Sequence, residues 1–125
     1  MREILFRAKR KDNGEWVYGD LLHPDLYGNG YAIEDFTKGK NNCFDIDENT
    51  ICEYTNWKNK NGTKIFEGDI IRYDYGFGVV TWVRSTGAFM CVEENGLFLE
   101  WFENIFARSV EVIGNKFDNP ELLEK

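Results

Sequence analysis

Residues 69–92 read DIIRYDYGFGVVTWVRSTGAFMCV. Apolar and polar residues alternate here, and glycine-containing segments interrupt them at residues 75–78 and 85–87, a pattern typical of short antiparallel strands joined by turns. The rhythm continues toward the C-terminus, with spacings of 10, 9, 9 and 12 residues between five strand candidates that begin at Asp69, Val79, Ala88, Leu97 and Ser109. Such spacing predicts a small antiparallel barrel.

The N-terminal part carries a hairpin signal. Residues 3–9 and 15–22 are strand candidates, and Asn13-Gly14 lies between them. This dipeptide supplies the positive φ angles of a tight turn. From residue 26 to 49 the pattern weakens, apart from a short strand candidate at residues 31–34, so we expect an irregular loop there.

Three local signals complete the secondary-structure prediction. Residues 50–55 and 64–66 have strand propensity and flank a turn at Lys60-Asn61-Gly62. Residues 97–106 have both strand and helical periodicity, and we expect a strand to about Glu100 followed by one short turn. Asn119-Pro120-Glu121 combines a capping residue, a proline and an acid, which predicts a short C-terminal helix.

Composition and charge limit the possible functions. The chain has 125 residues, 42% hydrophobic and 16% aromatic, which is typical of a globular protein with one or at most two small domains. The formal net charge is -7, distributed as -3 over residues 1–50, +1 over 51–90 and -5 over 91–125. This acidic balance argues against the phosphate contacts that provide most non-specific affinity for nucleic acid.

The cysteines and the N-terminus indicate a cytoplasmic protein. Cys43, Cys52 and Cys91 are an odd number without close spacing, as expected for reduced thiols. Charges interrupt the apolar residues of the first ten positions, so no secretory signal is recognisable. No segment approaches the roughly 18 apolar residues of a transmembrane helix, and we expect no membrane contact.

Catalytic and metal-binding patterns are missing from the sequence. His23 is the only histidine, and neither serine lies in a nucleophile elbow. No Cys-x-x-Cys or His-x-x-x-His pair begins a zinc site. Residues 45–49 resemble the start of a calcium loop, but Thr50 stands where glycine is needed and Asn56 where the bidentate glutamate belongs. We therefore predict no enzymatic activity, no catalytic residues, no metal and no cofactor.

Aromatic residues are the remaining candidates for a binding surface. We assign most of the aromatic residues to the barrel interior. The alternate strand residues that compete for this interior, aromatic and non-aromatic together, include Ile71, Tyr73, Val80, Trp82, Phe89 and Cys91. Trp57, Tyr75 and Phe77 are left as candidate contacts with a protein partner. Trp57 could also stack on a base in a single-stranded nucleic-acid site. Five cations of the least acidic stretch would join it there: Lys58, Lys60, Lys64, Arg72 and Arg84.

The chain resembles the YopX family of bacteriophage and prophage proteins, for which no biochemical activity is established. The resemblance covers essentially the whole length and rests on these segments: Arg2-Glu3-Ile4, Phe6-Arg7-Ala8, Trp16-Val17-Tyr18-Gly19, Tyr54-Thr55, Lys60-Asn61-Gly62, Ile65-Phe66-Glu67-Gly68-Asp69-Ile70, Val112-Ile113-Gly114-Asn115 and Asp118-Asn119-Pro120-Glu121-Leu122-Leu123. Two departures are local. Asn56-Trp57 stands where the family commonly has Gly-Leu, and Asn59 where an aspartate is usual.

The resemblance implies a bacterial host and a mainly β protein whose C-terminal part is an SH3-type barrel. Together with the strand pattern, it predicts an N-terminal β-hairpin region with an irregular loop over residues 1–49. An SH3-type barrel with a short C-terminal helix would follow over residues 50–125. The resemblance supplies no catalytic residues, since its motifs consist of turn and core residues.

Three functions remain open from the sequence. The first is a non-enzymatic phage or prophage accessory protein that acts as a protein-interaction module and forms a homo-oligomer, and its acidic surface would favour a basic partner. The alternative is a module for RNA or single-stranded DNA. A mimic of nucleic-acid charge is the third, and it rests only on the acidic C-terminal third.

Overall fold

The computed structural model describes residues 2–25, 28–35, 42–73, 76–85, 87–92, 99–101 and 110–123, with residues 99–101 as backbone. Within these ranges the strands are β1 (Phe6–Lys9), β2 (Trp16–Leu22), β3 (Ala32–Glu34), β4 (Cys43–Asp45), β5 (Cys52–Lys58), β6 (Lys64–Phe66), β7 (Asp69–Tyr73), β8 (Gly76–Val83), β9 (Ala88–Val92), β10 (Leu99–Trp101) and β11 (Glu111–Asn115). Two 3-10 segments, Glu48–Thr50 and Pro120–Leu123, accompany them. The predicted mainly β class is confirmed.

The chain divides into two compact units, residues 1–54 and 55–125. The division lies inside β5, a few residues beyond the boundary at 49/50 that the sequence suggests. Cys52–Tyr54 of β5 therefore belong to the first unit, and the rest of the strand belongs to the second.

In the first unit the strand order is β4-β3-β2-β1-β5. The predicted β1–β2 hairpin is confirmed, with Phe6 opposite Gly19 and Lys9 opposite Trp16. Gly14 has a φ of 74°, as its place in the connecting turn requires. Four buried residues of this unit pack into one hydrophobic cluster: Ala8, Val17, Ile33 and Ile46.

The prediction of an irregular loop over residues 26–49 is wrong at its C-terminal end, where β4 and a 3-10 helix form. Phe44 pairs with Ile33 on β3, and the next apolar residue, Ile46, is buried. Burial of these side chains outweighs weak local strand propensity. The Asp47 carboxylate then accepts the Asn49 amide at 3.0 Å and caps the 3-10 helix. Residues 26–27 and 36–41 lie outside the described ranges.

The second unit contains the β5–β6 hairpin and an antiparallel meander of order β10-β9-β8-β7-β11. Alternate residues of the meander face a core whose fully buried members are Ile65, Ile71, Val80, Cys91 and Val110. The interior assignment of Ile71, Val80 and Cys91 is thus confirmed. The structure establishes the meander, while closure into an SH3-type barrel stays a prediction.

The turn predicted at residues 75–78 is wrong for Gly76, Phe77 and Gly78, which begin strand β8. Gly78 is present for close packing, because an added Cβ would lie 2.6 Å from Cys91 Sγ and 2.8 Å from the Val92 carbonyl oxygen. A glycine with this role cannot be distinguished from a turn glycine in the sequence alone.

The predicted C-terminal helix is a 3-10 turn over Pro120–Leu123. The Leu122 amide donates to the carbonyl of Asn119, three residues earlier, at 3.0 Å. So few residues do not offset the cost of nucleating an α-helix. The strand expected to begin at Leu97 is described from Leu99 to Trp101, and the short turn expected after it lies outside the described ranges.

Candidate binding surface

The β5–β6 hairpin has a tightly bonded turn. The Asn59 side-chain oxygen accepts the amides of Asn61 at 2.9 Å and Thr63 at 3.0 Å. The Asn59 amide donates to the Thr63 carbonyl at 3.0 Å, and Gly62, with a φ of 82°, closes the turn. Asn59 therefore holds the connection in one conformation, and the turn predicted at Asn61-Gly62 is confirmed.

A local irregularity of β5 carries Trp57. Asn56 has a φ of 70°, a conformation that asparagine tolerates better than most residues. The buried Thr55 hydroxyl donates to the Ile65 carbonyl at 2.7 Å and accepts the Trp57 amide at 3.1 Å. The Thr55 hydroxyl thus bonds to β6 at Ile65 and to β5 at Trp57. These two hydrogen bonds fix the backbone around Asn56, from which the Trp57 indole projects.

The hairpin presents an exposed ring together with cations. Trp57 is 38% exposed, Lys58 and Lys60 are exposed, and Lys64 is half-buried. Residues 54–66 contain these three lysines and no acidic residue, in a chain of net charge -7. We call Trp57, Lys58, Lys60 and Lys64 the hairpin surface.

The other sequence-predicted contacts lie on different elements of the second unit. Phe77 is half-buried on β8, opposite Arg72 on β7. Arg72 donates to the Glu111 carboxylate at 3.0 Å, and Arg84 is exposed in the β8–β9 turn. Tyr75 lies outside the described ranges. Of the five cations predicted for a nucleic-acid site, the hairpin therefore carries the three lysines.

Trp82 is a second exposed ring that the sequence did not identify. The strand alternation predicts an interior position for Trp82, but the residue is 45% exposed, while its partner Phe89 packs against the core. The two rings meet edge to face with centroids 5.0 Å apart. Trp82 lies two residues before the turn at Arg84, and few neighbouring residues cover a side chain so close to the end of a strand. This position in the sequence is the signal that could have indicated the exposure of Trp82.

In the first unit, basic side chains lie over an aromatic ring. This contact follows from the strand register and is not apparent from the sequence. The guanidinium of Arg7 lies 4.7 Å from the Trp16 ring centroid, and the Lys9 ammonium lies 5.5 Å from the same ring. Lys9 and Trp16 are directly opposite in the β1–β2 ladder. Arg7 is buried, so its contact with Trp16 is part of the packing of this unit.

A groove of about 340 Å³ in the first unit is lined by polar and aromatic residues of β4 and the β1–β2 turn. Arg10 lies 4.4 Å from the Phe44 ring centroid and bonds Asp12 at 2.6 Å. This hydrogen bond lowers the pKa of the Asp12 carboxyl below its ordinary value and raises the pKa of Arg10. Two of the charged residues that line the groove, Arg10 and Asp12, are thus paired with each other.

Among the described residues, no group of three or more histidine, cysteine or carboxylate side chains is arranged to hold a metal ion. Asp47, in the calcium-like segment, uses its carboxylate for a backbone amide. The described part of the chain contains no helix long and apolar enough to cross a membrane.

Comparisons with known proteins give the fold and the family. The chain is similar to the crystal structure of protein EF1440 from Enterococcus faecalis, with a TM-score of 0.55 and 22% sequence identity over 99% of this chain and 100% of that chain. At this identity the likeness concerns the fold alone. The search of curated proteins found no match. The family model described as YopX protein matches residues 5–124, nearly the entire sequence, and the chain therefore belongs to the YopX family.

Proposed function

We propose that the protein is a non-enzymatic protein-interaction module and that the hairpin surface is its main contact with a partner. The observation that carries this proposal is Trp57, a large ring that is 38% exposed and lies two residues before a hairpin turn fixed by hydrogen bonds. Tryptophan is enriched among the few residues that provide most of the binding energy at protein interfaces. A contact residue on a pre-ordered backbone loses little conformational entropy when it binds.

Several broader features accompany this proposal. The meander order of the second unit is compatible with an SH3-type barrel, a scaffold that offers aromatic grooves and edge strands to other proteins. Membership of the YopX family favours an accessory role in a phage or prophage, in the cytoplasm of a bacterial host. Trp82 offers a second ring through which copies of the chain could associate into a homo-oligomer.

The proposal is tested by capture and titration. Wild-type protein and the Trp57→Ala variant are used as baits in a bacterial extract, and each captured protein is then purified and titrated by calorimetry. We expect Trp57→Ala to weaken binding of the purified partner by about tenfold or more, the effect of removing an interface hot spot. Tyr18→Ala removes a comparably exposed ring, 43% exposed on β2 of the first unit, and is the control. Equal partner affinity for wild type and a folded Trp57→Ala protein would contradict the proposal.

A second candidate function, binding of single-stranded nucleic acid, is favoured by the same ring and lysines. Stacking on Trp57 with phosphate contacts from Lys58 and Lys60 would reproduce the usual combination of aromatic and cationic groups. This function predicts an affinity for oligothymidylate that falls steeply with salt, and Trp57→Ala would reduce it by about 1 to 3 kcal/mol. A flat fluorescence titration at low salt would eliminate it.

A further inference from the structure

We infer that Asn61, in the turn of the β5–β6 hairpin, is a site of spontaneous deamidation and that its isoaspartate product opens the turn. Asn61 is exposed and directly precedes Gly62. Because glycine has no side chain, its main-chain nitrogen is accessible to the carboxamide of the residue before it. The reaction needs no molecule other than water and does not depend on what the hairpin surface binds.

The reaction is intramolecular and involves no change of oxidation state. A base from the solvent removes the Gly62 amide proton, and the nitrogen attacks Cγ of Asn61. The new N–Cγ bond closes a five-membered succinimide, while the Cγ–Nδ2 bond breaks and Nδ2 takes a proton from water and leaves as ammonia. Water then opens the ring at one of its two carbonyls. Opening at Cγ gives aspartate, and opening at the main-chain carbonyl gives isoaspartate, in which Gly62 stays bonded to Cγ.

The Asn61 carboxamide is less restrained than those of comparable residues. The sequence has four Asn-Gly pairs, and the structure describes three of them, at residues 13–14, 29–30 and 61–62. The Asn13 side-chain oxygen accepts the amide two residues later at 2.9 Å, and Asn29 Nδ2 donates to the Asp25 carboxylate at 2.8 Å. The Asn61 carboxamide has no hydrogen-bond partner in the described part of the chain, so it can rotate toward the next main-chain nitrogen without losing a bond.

Neighbouring charges favour the same site. Loss of the amide proton places negative charge on the glycine nitrogen, which an adjacent cation stabilises and an adjacent carboxylate destabilises. Lys60 directly precedes Asn61 and is exposed. The Asp25 carboxylate, in contrast, accepts both the main-chain and the side-chain nitrogen of Asn29, at 3.1 and 2.8 Å. The reactive anion therefore forms more readily after Asn61 than after Asn29.

The hydrogen bonds of Asn59 control the rate of this reaction. The Gly62 amide donates to the Asn59 carbonyl at 3.0 Å, so the turn must open before the nitrogen attacks. The Asn59 side-chain oxygen keeps the turn closed through the amides of Asn61 and Thr63. We expect Asn59→Ala to accelerate conversion of Asn61 about fivefold or more, because one lost hydrogen bond shifts an opening equilibrium by about that factor. Asn59→Asp retains an acceptor oxygen and should keep the slow rate.

Isoaspartate changes the turn because the main chain gains one methylene group between residues 61 and 62. The Asn59 side-chain oxygen then cannot accept both amides in the geometry of the native turn. We expect hydrogen exchange at the Thr63 amide, which donates to this oxygen at 3.0 Å, to accelerate in the isoaspartyl form. Asn61→Asp keeps the ordinary main chain and should retain slow exchange. The modification thus loosens the backbone that carries the hairpin surface.

Peptide mapping by mass spectrometry tests the inference on the full chain. The protein is incubated in mildly alkaline buffer in its native state and, in parallel, unfolded in guanidinium chloride. In the native protein we expect Asn61 to convert about fivefold faster than Asn13 and Asn29, whose carboxamides must each first lose a hydrogen bond. In the unfolded chain the three pairs should react at similar rates. In Asn59→Ala the rate at Asn13 should match wild type, which shows that the rest of the fold is intact.

Electron-transfer fragmentation identifies the isoaspartyl product, which is then purified for hydrogen exchange. Equal native rates at the three pairs, no conversion of Asn61 in the native protein, or an unchanged rate in Asn59→Ala would overturn the inference. Slow exchange at Thr63 in the isoaspartyl form would show that the product does not open the turn. None of these readouts involves a partner, so their failure leaves the protein-interaction function untouched.

Discussion

The carboxamide of Asn119 lies directly against the Cα of Gly114. A Cβ added to Gly114 would be 2.5 Å from Asn119 Oδ1 and 2.8 Å from its Cγ. The same oxygen accepts the Asn115 amide at 3.2 Å, so the side chain is held where glycine leaves room for it. Gly114 and Asn119 thus fit together as a pair in this chain.

Gly114→Ala should lower the free energy of unfolding by about 1 to 3 kcal/mol, because the methyl group displaces the Asn119 carboxamide. Urea denaturation measures the change. The matched control is Gly30→Ala, since the nearest atom to a Cβ there is 3.9 Å away and no backbone strain arises. Its effect should stay within about 0.5 kcal/mol, as for most exposed positions. Similar losses in the two variants would contradict this account of Gly114.

The φ of 70° at Asn56 predicts opposite results for two substitutions. Asn56→Gly should be neutral or stabilising in the native state, whereas Asn56→Val should destabilise the protein by about 1 to 3 kcal/mol, because a β-branched residue is strained in this conformation. The midpoint of urea unfolding distinguishes them. Asn61→Val is the control, because Asn61 lies in the exposed hairpin turn and does not have a positive φ. This variant loses the same polar side chain but introduces no strain of the kind expected at position 56. An equal loss at Asn61 would show that the conformation of Asn56 is not the cause.

Thr55→Val should both destabilise the protein and loosen the hairpin. The variant keeps the side-chain volume but removes the hydroxyl that bonds the Ile65 carbonyl and the Trp57 amide. Loss of these bonds at a buried position should reduce the free energy of unfolding by about 1 to 3 kcal/mol. Hydrogen exchange at the Trp57 amide should accelerate more than at β8 amides. Thr55→Ser retains the hydroxyl and should preserve slow exchange, and fast exchange in this variant would contradict the role of the hydroxyl.

Arg10→Gln should raise the pKa of Asp12 toward its ordinary value, because the hydrogen bond from Arg10 is the main cause of the lowered pKa. Since the folded-state pKa is lowered, the pair stabilises the fold above the unfolded-state pKa of Asp12. This contribution is lost as the pH falls through the folded-state value. An NMR titration of the Asp12 carboxyl carbon measures the shift. Lys11→Gln, on the same turn, should leave that titration unchanged.

The hairpins and much of the core could be predicted because their signals are local. Gly14 and Gly62 lie between strand-forming runs and have the positive φ angles that their turns require. Ile71, Val80 and Cys91 follow the period of two and are buried. The family motif Ile65–Ile70 also has a local physical basis, because the buried Asp69 carboxylate accepts the Phe66 amide at 2.8 Å.

The errors occur where a residue's role depends on strands distant in sequence. The sequence predicts a turn at Gly78 because the contact of this glycine with Cys91 depends on the pairing of β8 with β9. Phe44 forms part of β4 because it pairs with Ile33. Trp82 follows the interior alternation but lies near the end of its strand, where the core no longer covers it. For the candidate site, the sequence suggests Trp57 and the neighbouring lysines, and the structure adds the hydrogen bonds that fix the turn and the backbone at Trp57.

Site-specific photo-crosslinking from the hairpin tests the central claim most directly. A benzophenone amino acid replaces Asn61, which is exposed in the hairpin turn, and in a control variant it replaces Lys116, which is also exposed. Irradiation in bacterial cells should give a protein adduct from position 61 that is lost when Trp57→Ala is added, and no such adduct from position 116. Adducts of equal yield from both positions, or a nuclease-sensitive adduct at position 61, would contradict a protein-binding hairpin.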